Sequence, residues 1–319
     1  MQILVTGAAG FIGSHLSERL VADGHKVCGV DSLADYYTIK LKQLNAQQIE
    51  NAGVRFVHLD LCTGDISPLL DGTEAIFHLA AQPGISSSTP FATYVRNNLT
   101  ATHRLLEAAT SSSTLRILVN ISTSSVYGSD ATGDERTVPR PTSYYGVTKL
   151  AAEQLVLAYQ RDRGLPACSL RLFSVYGPRE RPEKLYPRLI GCILEDRPFP
   201  LFEGSAEHLR SYTFVNDIVD GLASVLSKID GCNGEIINVG SDVAITTARG
   251  IQIVEDILGQ RARIQVKPKR AGDQLKTHAH IEKARRLLAY NPSTTAEEGL
   301  AKEVEWYKTH IQGKINLWA

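Results

Sequence analysis

Tyr145 and Lys149 stand four residues apart in the segment YYGVTK, so a helix over this segment would place both side chains on one face. A phenol has a pKa of about 10 and is a poor base at neutral pH unless a nearby cation stabilises its phenolate. Lys149 supplies such a cation. Many helices carry this pair by chance, so the spacing predicts proton transfer only in combination with other motifs.

A run of hydroxyl side chains, STSSVYG over residues 122–128, follows a mostly aliphatic stretch at 116–122. A strand that ends in hydroxyls can bond its own backbone with them or offer them to a ligand. We predict the backbone role for Ser122 and a role in binding for Thr123, Ser124 and Ser125.

A glycine-rich segment, TGAAGFIGSHL, follows the first predicted strand and opens the first helix. Gly7, Gly10 and Gly13 suit a tight turn, close approach of a pyrophosphate to backbone N–H groups, and contact of the helix with the strand. Asp31 ends the second strand, where a carboxylate would bond both ribose hydroxyls of an adenosine and repel a 2′-phosphate. These features favour NAD over NADP. Asp60, which ends the third strand, suits either the adenine edge or a turn.

Short β-branched segments recur with room for a helix between them, at residues 2–6, 26–31, 55–60, 75–80, 116–122 and 167–172. This spacing predicts an α/β fold with a doubly wound parallel sheet of Rossmann type, whose ligands bind beyond the carboxyl ends of the strands. The pattern breaks after about residue 175 and returns as a helix over 214–226 and a strand over 235–239. We predict an NAD-binding domain over 1–174, with 212–242 returning to it, and a smaller mixed α/β substrate lobe over 175–211 and 243–319.

The composition is that of an ordinary globular chain, with 319 residues, 43% hydrophobic and 21% charged residues, and a formal net charge of zero. No apolar run is long enough to span a bilayer, and the neutral charge gives no sign of nucleic acid or an acidic membrane as a partner. The N-terminus lacks the features of a signal peptide, so we expect a cytoplasmic protein. Five scattered cysteines without a Cys-x-x-Cys pair argue against a disulfide framework and a zinc site, and no metal is expected.

Several ordered motifs extend these predictions: TGAAGFIG, HLAA at 78–81, STSSVYG, YYGVTK, RLFSVYGPRERP and RAGD at 270–273. Together they resemble the extended short-chain dehydrogenase/reductase superfamily, and within it the NAD-dependent nucleotide-sugar epimerases and dehydratases. The resemblance implies that Tyr145 is the catalytic base, that Lys149 tunes it and holds the nicotinamide ribose, and that Thr123 bonds the 4-hydroxyl of the sugar. It also implies NAD contacts from residues in or near these motifs: Phe11, Ile12, Leu61, Leu79, Ala80, Ala81 and Asn98.

The two residues after Thr123 bear on the reaction. Relatives that dehydrate a 4-keto sugar carry Asp-Glu directly after this threonine, and decarboxylases that form UDP-xylose typically carry Glu two places after it. This chain has Ser124 and Ser125 at those positions. Neither serine is a proton-transfer acid near neutral pH, so dehydration lacks a catalyst. The resemblance therefore implies epimerisation, in which C4 is oxidised, the 4-keto sugar rotates, and the hydride returns to its other face.

A second set of residues bears on the C5 substituent of the sugar. Simple UDP-galactose epimerases usually carry Asn in the segment 172–174, and the smaller Ser174 leaves room for a larger substituent. Ser124, Ser125, Ser174 and Arg181 suit a carboxylate at C6. This combination resembles UDP-glucuronate 4-epimerases. The alternatives are a UDP-glucose or UDP-N-acetylglucosamine 4-epimerase, a UDP-glucuronate decarboxylase, and a non-catalytic NAD-binding sensor.

The resemblance places further substrate contacts at the nucleotide and at the loop after the fourth strand. Arg210 and Arg270 match positions that hold a UDP diphosphate, since each guanidinium offers a planar fork of donors. Asp273 is expected near the uridine ribose. The loop QPGISSS is placed to line the sugar pocket through Pro83, Gly84 and Ser86.

Two predicted helices with apolar faces, over 91–109 and 145–159, bear on the oligomeric state. In the resembling family, such helices form a four-helix interface, so a homodimer is expected. The alternative is burial of the same faces within one chain.

Overall fold

The computed structural model describes residues 1–86, 88–269 and 274–317. In chain order its strands are β1 (Gln2–Thr6), β2 (Lys26–Asp31), β3 (Arg55–His58), β4 (Ala75–His78), β5 (Ile117–Thr123), β6 (Asp130–Ala131), β7 (Ala167–Leu172), β8 (Val175–Tyr176), β9 (Phe199–Phe202), β10 (Leu209–Arg210), β11 (Thr213–Phe214), β12 (Ile236–Val239), β13 (Ile245–Thr246), β14 (Ile264–Lys267) and β15 (Lys276–Thr277). Its α-helices are α1 (Phe11–Ala22), α2 (Ile39–Asn51), α3 (Phe91–Tyr94), α4 (Ala101–Thr110), α5 (Tyr144–Arg163), α6 (Leu185–Leu194), α7 (Val215–Ser224), α8 (Ile229–Cys232), α9 (Thr247–Leu258), α10 (Glu282–Leu288) and α11 (Ala296–His310). Within these ranges, no helix has both the length and the hydropathy needed to cross a bilayer.

Seven parallel strands form the central sheet, in the order β3-β2-β1-β4-β5-β7-β12. Thr6 lies opposite His78 in the pair β1 and β4, and Thr123 lies opposite Leu172 in the pair β5 and β7. The chain runs outward from β1 to β3, returns to β4 on the other side of β1, and then runs outward again. The carboxyl ends therefore diverge between β1 and β4, which opens a crevice for a ligand. The predicted doubly wound α/β fold is confirmed.

The strand boundaries agree with the sequence prediction for β1, β2 and β7, whereas β3 and β4 each end two residues early. After His78 the chain leaves the sheet because the Ala80 N–H donates to the Thr6 hydroxyl, at 3.1 Å, instead of to a neighbouring strand. The predicted helix over 91–109 is interrupted by a π-helical turn, Val95–Thr100. Such turns are frequent at functional sites.

Helix α1 packs its leucine side chains into the core. Leu16 and Leu20 lie one turn apart and are fully buried, and each contributes about 1.5–3 kcal/mol by its removal from water. Gly24, with a φ of +85°, follows the end of the helix. α7, from the later part of the chain, packs against α1 beside the central sheet.

The rest of the later chain forms smaller sheets beside the carboxyl ends of the central strands. β13, β10, β15 and β6 make one of them, β9 pairs with β14, and β8 pairs with β11. β6 lies at residues 130–131, inside the predicted first domain, yet it pairs with β15 of the predicted second lobe. A continuous buried cluster also extends from Val5 in the central sheet to Leu300 in α11. The predicted domain boundaries stay a prediction.

Candidate active site

A cavity of about 720 Å³ lies at the carboxyl ends of the central strands. Its walls come from the glycine turn before α1, the loops after β2 and β4, the hydroxyl run after β5, the start of α5, and the loop over 173–184. Arg210 and Gln274 complete the wall from the smaller sheets. The glycine, hydroxyl and Tyr-Lys motifs therefore meet in one place, whose volume is in the usual range for ligand pockets.

The glycine turn leaves no room for side chains where a pyrophosphate would approach. Gly7 adopts a φ of +71°, and a Cβ atom there would lie 2.8 Å from the Ala80 nitrogen. A Cβ atom at Gly13 would lie 2.1 Å from the Gly7 carbonyl oxygen. α1 therefore begins directly against this turn, with its unpaired N–H groups and positive dipole end at the cavity. This arrangement fits the diphosphate of a dinucleotide.

Asp31 ends β2 with its side chain at the cavity wall. Its Oδ2 accepts a hydrogen bond from the Ala9 N–H at 3.1 Å, and its Oδ1 accepts one from the Leu33 N–H at 2.8 Å. These bonds fix the carboxylate, and each oxygen keeps a lone pair for a ribose hydroxyl. Because a 2′-phosphate would meet this fixed negative charge, the site fits NAD better than NADP.

Most of the residues predicted to contact NAD line the cavity: Gly7, Gly10, Phe11, Ile12, Gly13, Asp31, Asp60, Leu61, Leu79, Ala80, Ala81, Tyr145 and Lys149. Asp60 is already engaged within the protein. Its Oδ2 pairs with Arg96 at 2.5 Å, and its Oδ1 accepts from the Cys62 N–H at 2.8 Å. Asp60 thus forms a turn and also lines the cavity, so both predicted roles stay open.

Asn98 lies behind the cavity wall, and its contact with the cofactor stays a prediction. Its side chain is 1% exposed and does not line the cavity. Its amide oxygen accepts from the Gln82 N–H at 2.7 Å, and its amide nitrogen donates to the Thr148 hydroxyl at 2.9 Å. The π-helical turn brings Asn98 to the gap between α5 and the loop after β4. Asn98 therefore positions the loop that carries Ala80 and Ala81.

Two local features bring Thr123 and Tyr145 together. Ser143 caps α5 by accepting the Gly146 N–H at 3.1 Å, which places Tyr145 in the first turn. A Cβ atom at Gly146 would lie 2.7 Å from the Ser125 carbonyl oxygen, so the absent side chain lets α5 begin in direct contact with the hydroxyl run. The Thr123 hydroxyl accepts from the Ser125 N–H at 3.1 Å and is also hydrogen-bonded to the Tyr145 phenol.

Burial and charge act in opposite directions on the two groups of the Tyr-Lys motif. Burial raises the pKa of the Tyr145 phenol above its usual value, whereas the hydrogen bond with Thr123 and the charge of Arg181 act to lower it. Burial lowers the pKa of Lys149 to about 8, and the Glu153 carboxylate acts to raise it. Tyr145 alone is therefore a protonated phenol at neutral pH. A further positive charge, such as that of an oxidised nicotinamide, is needed to make it a base.

Two buried polar atoms of the cavity wall have no partner among the described residues. Ser122 Oγ and Gln82 Nε2 belong to side chains that are 3% and 5% exposed. An unpaired buried polar group costs about 1–3 kcal/mol, so we expect a ligand to satisfy both. The prediction that the Ser122 hydroxyl bonds the backbone is wrong, because its Oγ atom has no hydrogen-bond partner among the described residues.

Arg181 reaches the cavity from the loop that follows β8. Its side chain is 14% exposed and forms an ion pair with Glu183, and its guanidinium lies 5.7 Å from the centre of the Tyr36 ring. A Cβ atom at Gly84 would lie 3.0 Å from Arg181 Nη2, so the glycine makes room for the guanidinium. The same cavity is lined by other residues predicted to bind substrate: Pro83, Gly84, Ser124, Ser125, Ser174 and Arg210.

Ser86 does not line the cavity, and its contact with substrate stays a prediction. Its hydroxyl accepts from the N–H groups of Ser88 and Thr89, both at 3.2 Å. The reason is local, because a serine hydroxyl readily bonds backbone groups two and three residues ahead in a turn. Ser86 therefore shapes the chain just before α3.

The nucleotide end of the predicted site is described in part. Arg210 donates to the Gln274 carbonyl oxygen, and the Gln274 side chain donates to the carbonyl oxygens of Ser124 and Gly128, at 3.3 and 3.0 Å. Gln274 thus connects the hydroxyl run to the last described part of the chain, residues 274–317. Arg270 and Asp273, predicted to hold the UDP diphosphate and ribose, lie outside the described residues.

Several residues of the cavity wall were missed by sequence reasoning: Tyr36, Tyr37, Lys42, Gln82, Glu180, Glu183, Lys184 and Gln274. For some of them, a position directly after a recognised motif offered a signal in the sequence. Gln82 directly follows the HLAA motif, and Gln274 directly follows RAGD. The two tyrosines carry no such signal, because their place in the wall depends on how the loop after β2 folds towards Arg181.

The doubly wound sheet, the glycine turn and the Thr123, Tyr145 and Lys149 group define a dinucleotide-binding protein of the short-chain dehydrogenase/reductase class. The family model described as the NAD dependent epimerase/dehydratase family matches residues 3–240. The chain belongs to this family.

Individual relatives of known description are similar to the chain over nearly its whole length. The chain is 40% identical over 320 residues to an uncharacterised UDP-glucose epimerase of Bacillus subtilis, covering 98% of this chain and 100% of that protein. It is 35% identical over 332 residues to UDP-glucuronate 4-epimerase 2 of Arabidopsis thaliana, covering 96% of this chain and 76% of that protein. A solved UDP-glucuronic acid 4-epimerase from Bacillus cereus, in complex with UDP-glucuronic acid and NAD, matches with a TM-score of 0.93 and 37% identity, over 97% of this chain and 99% of that one.

Proposed function

We propose that this chain catalyses the NAD-dependent 4-epimerisation of a UDP-hexuronic acid, converting UDP-glucuronate to UDP-galacturonate through a transient 4-keto sugar. The observation that carries the proposal is the position of Arg181, a mostly buried guanidinium in the same cavity as Thr123 and Tyr145. A guanidinium that shares a cavity wall with the hydroxyls of Ser124, Ser125 and Ser174 offers charge-assisted hydrogen bonds to a carboxylate. The similarity to the Bacillus cereus enzyme, crystallised with UDP-glucuronic acid, supports the same substrate.

Tyr145, Thr123 and Lys149 would each have a separate role in the reaction. Tyr145 would accept the proton of the sugar 4-hydroxyl, and Thr123, which lies beside the phenol in the cavity wall, would hold that hydroxyl by a hydrogen bond. Lys149 would favour the phenolate by its charge. NAD, held by the glycine turn, Asp31 and Lys149, would supply a reversible hydride acceptor for C4 of the sugar. Tyr145 would then give the proton back to the 4-oxygen.

The hydroxyl run also explains why the intermediate would keep its carboxylate. A 4-keto uronic acid is a β-keto acid, and it loses carbon dioxide when its carboxylate bond turns perpendicular to the ketone plane. Hydrogen bonds from Ser124, Ser125 and Ser174, together with Arg181, would hold the carboxylate away from that orientation. Neither position 124 nor position 125 carries an acid, so proton transfer to a resulting enolate lacks a donor there.

A UDP-glucose 4-epimerase is the second candidate. It is favoured by the 40% identity to the Bacillus subtilis protein described as a UDP-glucose epimerase. The unpartnered Gln82 amide and Ser122 hydroxyl are neutral groups that would serve a hydroxymethyl sugar as well as an acidic one.

A panel of UDP-sugars separates these candidates. The purified enzyme is incubated with UDP-glucuronate, UDP-glucose and UDP-N-acetylglucosamine, and the products are identified by NMR. We expect conversion of UDP-glucuronate to UDP-galacturonate with a kcat/KM at least about tenfold above that for UDP-glucose, since one charge-assisted bond discriminates by this much. A pentose product, or rapid turnover of UDP-glucose without conversion of UDP-glucuronate, would reject the proposal.

We further propose a homodimer, formed through the surface of α3 and α5. Phe91, Tyr144 and Val147 are 46%, 57% and 43% exposed, and the rings of Phe91 and Tyr144 lie 5.0 Å apart. Exposed apolar side chains that cluster in this way support an interface with a second copy of the chain. Light scattering is expected to give twice the mass of one chain, and Val147→Glu is expected to give a monomer. Val138→Glu, at a residue that is 69% exposed in a loop, is the control and should stay dimeric.

A monomeric wild-type protein would overturn the proposed dimer without affecting the proposed reaction. A cytoplasmic location likewise stays a prediction.

A further inference from the structure

Glu153 and Arg171 form a fully buried ion pair one helical turn beyond Lys149. Arg171 Nη2 lies 2.6 Å from Glu153 Oε1, and Arg171 Nε lies 3.0 Å from Glu153 Oε2. The two side chains are 1% and 0% exposed. Taking two charges out of water costs about as much as their attraction returns, so an apolar pair of similar volume would stabilise the fold at least equally well. The pair therefore points to a role other than stability.

The ion pair is the centre of a network that joins the segments carrying the catalytic groups. Arg171 Nη1 donates to the Tyr127 hydroxyl at 2.9 Å, and the Tyr127 hydroxyl donates to Asn238 Oδ1 at 2.8 Å. Arg171 also lies over the Tyr127 ring, 4.8 Å from its centre. Tyr127 ends the short helical turn that begins right after Thr123. The network therefore links α5, β7, β12 and the hydroxyl run.

Glu153 shares one face of α5 with both catalytic groups, since it lies four residues after Lys149 and eight after Tyr145. Arg171 stands opposite Ser122 in the pairing of β7 with β5, one residue before the position opposite Thr123. A shift of α5 relative to β7, which pairs with β5, would break the two charge-assisted bonds between Glu153 and Arg171.

We propose that Glu153 and Arg171 are positioning residues for the epimerase reaction, which fix α5 against β5 and β7 and keep Lys149 in its cationic form. This inference rests on the proposed roles of Tyr145 and Lys149.

The charges around Lys149 support the proposal that the ion pair keeps this lysine in its cationic form. Burial lowers the pKa of Lys149 to about 8, and the Glu153 carboxylate acts to raise it. From β4, His78 faces the lysine; it bonds the hydroxyls of Thr6 and Thr102, and burial lowers its pKa to about 3, so it is neutral. From β7, Arg171 is cationic and forms the ion pair with Glu153.

Loss of the Glu153 charge is expected to lower the pKa of Lys149. Tyr145 on the same helix is a neutral phenol before reaction, and Tyr127 beside Arg171 is neutral because burial raises its pKa. Among the groups described around Lys149, Glu153 is thus the one that supplies negative charge. Without it the lysine loses its proton at a lower pH, and the phenolate of Tyr145 loses its stabilising cation.

The test compares Glu153→Gln with wild type in the full-length holoenzyme. The alkaline limb of kcat against pH is expected to move down by about one pH unit, because a unit charge at helical i,i+4 distance has been removed. kcat near neutral pH is expected to fall about tenfold with KM for the UDP-sugar within about twofold, since neither residue lines the cavity. Glu153→Asp keeps the charge and is expected to restore the position of the limb.

Two controls separate positioning from a general loss of stability. Leu222→Ala, at a fully buried position of α7, should lower the melting temperature but leave the alkaline limb unchanged. The double variant Glu153→Gln with Arg171→Met removes both charges, so it should fold even if the single variant does not, and it should still show the shifted limb. An alkaline limb that stays at the wild-type pH, in Glu153→Gln or in the double variant, would overturn the inference. Activity retained by Tyr145→Phe would instead overturn the proposed function.

Discussion

Replacing Tyr145 with phenylalanine is expected to lower kcat for UDP-glucuronate by about two to four orders of magnitude, the usual contribution of a positioned general base. The substitution removes the hydroxyl that would accept the sugar proton and leaves the ring, which packs 6.5 Å from the ring of Tyr94. The fold and the cofactor wall should therefore be unaffected. Turnover is measured by NMR of the epimer product, and NAD binding by calorimetry.

The neighbouring tyrosine provides the matched control for this experiment. Tyr144 is the preceding residue of the same helix and is 57% exposed, so Tyr144→Phe should keep kcat within about twofold, as surface substitutions usually do. A Tyr145→Phe enzyme that retained more than a tenth of wild-type kcat would show that another group takes the proton. The proposed chemistry would then have to be abandoned, whatever the substrate.

Replacing Arg181 with methionine is expected to lower kcat/KM for UDP-glucuronate about 10- to 150-fold, which corresponds to the loss of hydrogen bonds to a charged group. Methionine keeps much of the volume beside Gly84 and Tyr36 but removes the guanidinium. Because Arg181 also lowers the pKa of Tyr145, the acid limb of kcat against pH should move to higher pH in this variant. Steady-state kinetics across a pH series measures both effects.

Two comparisons isolate the carboxylate contact. The inhibition constant of UDP, which has no sugar acid, should stay within about twofold of wild type if Arg181 contacts the carboxylate rather than the nucleotide. Arg263→Met, at an exposed arginine paired with Asp196 at 3.3 Å, should leave the kinetics unchanged. An equal loss of affinity for UDP and for UDP-glucuronate would place Arg181 at the diphosphate and remove the main argument for an acidic sugar.

Local patterns were sufficient to predict the framework of the site. The alternation of β-branched and amphipathic segments predicted the central sheet, and the glycine spacing predicted the turn at which Gly7 and Gly13 exclude side chains. The spacing of Tyr145 and Lys149 predicted one helix face, which α5 provides. These predictions succeed because backbone conformation and helix periodicity depend on residues close together in the chain.

The surroundings of Ser86, Asn98 and Ser122 could not be predicted from the sequence, for a common physical reason. A polar side chain near a motif can turn towards a ligand, a loop or the protein interior, and the sequence alone does not distinguish these environments. Asn98 faces Gln82 and Thr148 because of a π-helical turn, and Ser86 bonds its own loop.

The sequence by itself determined the fold class, the glycine turn and the Tyr-Lys pair, since each is a property of a short segment. Only the tertiary structure brought Arg181 against Gly84, Gln274 against Ser124, and Arg171 against Glu153. These partners lie 97, 150 and 18 residues apart, and their meeting depends on the order of strands in the sheet and on the loops that leave their carboxyl ends. Contacts between distant segments follow from how the whole chain packs, which no local spacing encodes.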